Sequence, residues 1–150
     1  MNKKLFVIIF IIIFCLTACD NNIDKKSKHS ISNDVVSLEV KENTLTDIGA
    51  TFIIKNKSAV DTYMYGYPYF IEKKENDEWY VLETINELAF NLPAFGLKPS
   101  ESKELEINWK YGYEKLKSGT YRLVKDVFRS GDEPIGESNT IYIAAEFTVE

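Results

Sequence analysis

The chain predicts an all-β domain, a two-sheet antiparallel sandwich of about seven strands, behind a short N-terminal leader. Three observations predict it. From Val35 onward apolar residues recur at every second position, the period of a half-buried strand. Polar and proline- or glycine-bearing turns separate these runs at short intervals, as in sandwiches. No stretch of useful length repeats apolar residues at the helical period.

The leader comes first. Lys3 and Lys4 precede the apolar run "LFVIIFIIIFCL" at residues 5–16, and Thr17 and Ala18 lead into Cys19. A positive region, a short apolar region and small residues before a cut site make a secretory signal. The apolar run is 12 residues long, short of the roughly 20 that a spanning helix needs. "LTAC" at residues 16–19 resembles the bacterial lipobox. That resemblance implies cleavage before Cys19 and attachment of acyl chains to it, so residues 1–18 are the leader and the lipid bilayer is a partner held through Cys19. Two or three acyl chains anchor a protein stably, where one does so marginally. Cleavage also removes Cys15 and leaves Cys19 as the mature chain's only cysteine, which rules out an intramolecular disulfide and a catalytic thiol.

Residues 19–34 follow as the lipidated cysteine and a tether. "DNNIDKKSKHSISND" at residues 20–34 contains few apolar residues and no period, so it is expected to be disordered. Without Lys3 and Lys4 the chain keeps 16 basic against 23 acidic residues, a formal charge of about −7. That balance argues against nucleic acid as a partner, which calls for a basic face.

Residues 35–150 make the domain. "VVSLEVK" turns Val36, Leu38 and Val40 inward, and "ATFIIKN" turns Ala50, Phe52 and Ile54 inward. "YGYPYFIEKK" and "WYVLE" flank the polar turn "ENDE", a hairpin with an expected loop of four or five residues. "TINELAFNLPAFGLK" at residues 84–98 is apolar but broken by Pro93 and Gly96, and reads as a crossover covering one end of the core. "SKELEINW" faces Leu105, Ile107 and Trp109 inward. "TYRLVKDVF" does so with Tyr121, Leu123 and Val127, and "TIYIAAEFTV" with Ile141, Ile143, Ala145, Phe147 and Val149.

Around the turn at Ser118 and Gly119, Tyr121 opens a strand with Leu123 two places later. A tyrosine at that position pins a corner in immunoglobulin-type sandwiches by bonding to the chain upstream, and Tyr121 is the structural corner candidate. "LKPSES" and "LKSGTYRLVK" resemble the L-K-P-G-E-S and L-K-P-G-x-Y-R-L-V-K of bacterial immunoglobulin-like domains on small envelope lipoproteins. Ser100 and Ser118 stand where that family has glycine and proline. The resemblance implies an immunoglobulin-like antiparallel β-sandwich and an address on the extracytoplasmic face of the cell membrane, with no catalytic motif to transfer.

The residues themselves offer little chemistry. The one histidine, His29, falls in the tether, where it is expected to be solvated. Without a second histidine or a free thiol, zinc sites of ordinary spacing are excluded, and no glycine-rich phosphate loop is present. The acidic turns at residues 75–78 and at Asp132 with Glu133 lack the alternating ligand spacing of a calcium loop. No cofactor or metal is expected. In "YMYGYPYF", an extended chain places Tyr63, Tyr65, Tyr67 and Tyr69 on one face. Pro68 puts the stretch at an edge or a bulge. Tyr63, Tyr65 and Tyr67 are the candidate ligand-binding residues, an aromatic row for a protein or glycan. The competing reading, which the pattern favours, turns Tyr69 and one or two neighbours into the sandwich.

Three function classes follow. A membrane-anchored, non-catalytic binding or scaffolding module leads. Second is a protease inhibitor presenting "NLPAFG" or "RSGDEPIGES", since "LKPSESKELEINW" and "LKSGTYRLV" also resemble a family of small intracellular inhibitors of bacilli. An enzyme is last, because a sandwich with one tether histidine and no thiol has few ways to do chemistry.

Overall fold

The computed structural model describes residues 25–89, 93–132 and 139–150. Among them run ten strands: β1 (Lys25–Lys26), β2 (Val36–Val40), β3 (Gly49–Asn56), β4 (Tyr63–Tyr65), β5 (Phe70–Glu75), β6 (Glu78–Val81), β7 (Phe95–Leu97), β8 (Ser102–Asn108), β9 (Gly119–Arg129) and β10 (Ile141–Val149), with one helical turn, α1 (Lys110–Tyr113), between β8 and β9. The expected count of about seven is exceeded because β1, β4 and β7 are two or three residues long, too short to show a period.

Two antiparallel sheets face each other. The smaller has the order β2-β3-β8. In the larger, β9 is central, paired with β10 along one side and with both β5 and β4 along the other. β4 and β5 are thus one strand interrupted at residues 66–69, where Pro68 cannot donate to a ladder. β6 and β1 continue the sheet beyond β5, and β7 continues it beyond β4.

Between the sheets lie Val36 and Leu38, Ala50, Phe52 and Ile54, Leu123 and Val127, and Ile143, Ala145 and Phe147, all buried. Leu105 and Ile107 pack against this core half-buried. Trp109 is fully buried; its ring stacks on Phe147 at 5.4 Å and its indole N–H donates to the Asp47 carbonyl at 3.1 Å. The Tyr121 hydroxyl donates to the Lys117 carbonyl at 2.8 Å and its ring stacks on Phe147 at 5.9 Å.

Two local expectations are corrected. The β5–β6 loop has two residues, not four or five, because Glu75 pairs with Glu78. Asn76 and Asp77 take φ of 49° and 62°, the left-handed pair that a tight hairpin needs and that Asn and Asp tolerate. The expectation of a disordered tether is corrected over residues 25–34, which lie on the larger sheet, where β1 pairs with β6 and Ile31 bridges Tyr142. The segment's polar composition concealed this, because its hold is hydrogen bonding rather than apolar burial.

Candidate functional site

The sheets leave a cleft on the side where β7 ends one and β8 ends the other. It encloses about 180 Å³ and is lined by Tyr65, Tyr67, Phe95, Leu105, Ile107 and Lys125, with Gly66 and Glu106 beside them. The rings form a ledge: Phe95 lies 5.6 Å from Tyr65 and 5.0 Å, edge-on, from Tyr67. Leu105 and Ile107 contribute the aliphatic wall because alternation along β8 turns them to this side.

Lys125 shapes the ledge. It continues the inward series of Tyr121 and Leu123 on β9, and only 2% of it is exposed. Its Nζ donates to the carbonyls of Gly66 at 2.8 Å and Pro68 at 2.9 Å, with Tyr67 at 3.5 Å. These carbonyls belong to the interruption between β4 and β5, which has no ladder partner for them, and the ammonium satisfies them. Burial pushes that ammonium down to about 8, against a smaller opposing pull from Asp126. The lysine thereby fixes the loop that carries Tyr67.

The structure separates the predicted tyrosine row. Tyr63 and Tyr65 are 6% and 5% exposed, paired within β4 on both sides, so neither offers a free face. That corrects the exposed row and agrees with the competing reading that the pattern favoured, with Tyr69 buried as well: β4 is an interior strand, and inward alternation buries its tyrosines. Tyr67 is 52% exposed because the interruption at Pro68 carries it off the strand. Tyr65 reaches the cleft from its buried side, and burial raises its hydroxyl pKa. Sequence reading missed Phe95 and Lys125. Lys125 was visible as a lysine within an inward alternation, whereas Phe95 sits in a crossover without period. Cys19 lies outside the described residues, as do residues 91 and 92 of one proposed inhibitory loop and 133–138 of the other, Glu133 included.

A second polar cluster lies on the opposite face of the larger sheet. Glu72 is fully buried; its Oε2 accepts from Arg122 Nε at 2.6 Å, and its Oε1 accepts from Ser27 Oγ at 2.6 Å and lies 2.6 Å from His29 Nδ1. Trp79 covers the guanidinium at 4.4 Å. His29 is half-buried against Phe70 and Tyr142, with ring centroids 5.1 and 4.6 Å away. This corrects its assignment to a solvated tether. Serine, histidine and carboxylate meet here, yet the serine hydroxyl is spent on the carboxylate and stands on the Nδ1 side. A serine nucleophile needs its base at Nε2 with the carboxylate behind, so the cluster is a clamp.

The sandwich, its tyrosine corner and the turn segments "LKPSES" and "LKSGTYRLVK" meet a decisive comparison: residues 32–148 match the family of bacterial Ig-like domains. The chain belongs to that family. As a bacterial Ig-like domain it has the all-β, two-sheet architecture described above. No curated protein matches the chain. Among solved structures, a β-glucosidase from Kluyveromyces marxianus in complex with glucose aligns at 14% identity and a TM-score of 0.33, over 81% of this chain and 15% of that one.

Proposed function

We propose that this bacterial Ig-like domain is a lipid-anchored module on the extracytoplasmic face of the cell membrane, non-catalytic, binding a protein or glycan. The observation that carries the address is the N-terminal order of lysine pair, 12-residue apolar run and "LTAC", which supports acylation of Cys19. The aromatic cleft supports the binding role: Tyr67 and Phe95 offer rigid ring area beside an aliphatic wall, with room for one sugar ring or one side chain. Among the described residues, the buried Lys125 is engaged with carbonyls and the buried Glu72 with Ser27, His29 and Arg122, which supports a non-catalytic reading.

Metabolic labelling with palmitate tests the address. Label is expected on wild type and absent from Cys19→Ala, which should leave the membrane fraction; an unlabelled wild type overturns the anchor. Immobilised mature chain, beside Tyr67→Ser with Phe95→Ser, tests the cleft against envelope extracts and defined glycans. A ligand retained by wild type alone is expected. Equal retention by both baits removes the cleft from the proposal, and a protease retained by both points to the loops.

A further inference from the structure

Residues 25–34 cross the outer face of the larger sheet from edge to edge. At one edge β1 adds to β6, with Lys25 opposite Val81 and Lys26 opposite Tyr80, and the Ser27 N–H donates to the Trp79 carbonyl at 2.8 Å. Midway, Ser27 and His29 clamp Glu72. At the other edge Ile31 bridges Tyr142, and the Ser32 N–H donates to the Tyr142 carbonyl at 2.8 Å. There the Asn33 side chain donates to the Ala144 carbonyl at 2.9 Å and accepts its N–H at 3.1 Å. Val124 and Ala144, which point away from the core, are buried on this face.

The hold of this segment differs from that of the sandwich. Lys25, Lys26, Lys28 and Ser30 are exposed, and none of residues 25–34 is fully buried. Its bonds are backbone pairs at the two edges and side-chain bonds between them, and it puts no residue of its own into the core, so it can leave the sheet without opening the sandwich. It is also the segment nearest Cys19. Tension from that side loads the bonds in sequence: the β1 pair, then the Ser27 and His29 clamp, then Ile31 and Asn33.

We propose that residues 25–34 are a releasable strap that sets how far the domain stands from the membrane. The role rests on the anchoring of Cys19 proposed above. Docked, the strap leaves only residues 20–24 between the anchored cysteine and the folded body. Released, it adds ten residues, a gain in reach of at most about 35 Å at 3.3–3.6 Å per extended residue, and uncovers Glu72 and Arg122.

The test is neutron reflectometry of the lipidated chain on a supported phosphatidylcholine bilayer, with amide exchange at Ser27 and Ser32 followed in the same preparations. Three forms are compared: wild type; a release variant, His29→Ala with Asn33→Ala, which leaves the sandwich core untouched; and a locked variant, Lys26→Cys with Tyr80→Cys, oxidised to a disulfide. Wild type and the locked form are expected to sit at one short distance with protected amides. The release variant should sit further out by on the order of 10 Å or more, with exchange at both amides accelerated at least tenfold. One distance for all three forms, or a wild type that matches the release variant, overturns the strap. Failure of every form to attach, with Ser27 and Ser32 still protected, overturns the anchor and the distance-setting role while leaving the docked geometry in place.

Discussion

Glu72 on β5 and Arg122 on β9 stand directly opposite in the sheet register, 2.6 Å apart from Oε2 to Nε, with Glu72 at 0% exposure and Arg122 at 9%. The pair lies on the outer face, so the sandwich core does not need it, yet the strap encloses it. Breaking such a pair from one side leaves a buried charge uncompensated. Arg122→Ala is therefore expected to lower stability by about 1–3 kcal/mol, since Ser27 and His29 still hold the carboxylate, and Glu72→Leu with Arg122→Leu by less. Urea unfolding reads both; a double variant less stable than the single would refute the argument.

Tyr121→Phe keeps the ring on Phe147 and deletes only the hydroxyl that donates to the Lys117 carbonyl. The expected loss is about 1 kcal/mol at unchanged fold. Circular dichroism checks the fold and denaturant midpoints check the loss, and an unchanged midpoint would mean that the corner bond contributes nothing.

Ser100 sits at φ 60°, in the left-handed region where a Cβ is unfavourable. Its N–H donates to the Ser58 carbonyl at 3.0 Å, so the turn keeps the conformation despite the strain. Ser100→Gly is expected to raise stability by about 0.5–1 kcal/mol, the relief exceeding the entropy that glycine adds to the unfolded chain. A lowered melting temperature would show that its side chain contributes more than the strain removes.

Lys125 and Tyr69 give the alkaline limb a defined shape. Lys125 falls from 10.5 to about 8 in the folded chain. Between those values the unfolded chain carries a proton that the folded chain has released, so stability rises with pH, by up to about 3 kcal/mol. Tyr69 runs the other way: burial, with Tyr113 beside it, pushes its hydroxyl from 10.0 to about 12, so above pH 10 the unfolded chain loses a proton that the folded chain keeps, and stability falls. Urea midpoints from pH 7 to 11 should rise above pH 8 and turn over near pH 10. Lys125→Met should abolish the rise, and a wild-type curve flat from pH 8 to 10 would contradict the burial argument.

Much of the fold was legible because strand burial is a local pattern. The inward series on β2, β3, β9 and β10 could be read from alternation alone, and Pro68 marked the interruption that presents Tyr67. Less of the site was legible. Tyr63 and Tyr65 share Tyr67's alternation, and only the flanking pairing of β4 with β7 and β9 separates buried from exposed. His29 stands between Lys28 and Ser30 in residues 25–34, whose one strongly apolar residue is Ile31, so it showed no period. Its partners Glu72, Phe70 and Tyr142 arrive from strands far along the chain.

The sequence by itself determined the fold class, the family, and the inward faces of the longer strands, since each depends on residue types and spacings within a few positions. The tertiary structure alone decided that Lys125 seals the carbonyls of an interrupted strand, that Phe95 joins Tyr67 in one ledge, and that residues 25–34 lie across the larger sheet. In each case a polar or irregular segment is held by hydrogen bonds and ring contacts to distant strands. Such contacts leave no period in the chain, because the groups that satisfy them are brought together only when the sheets form.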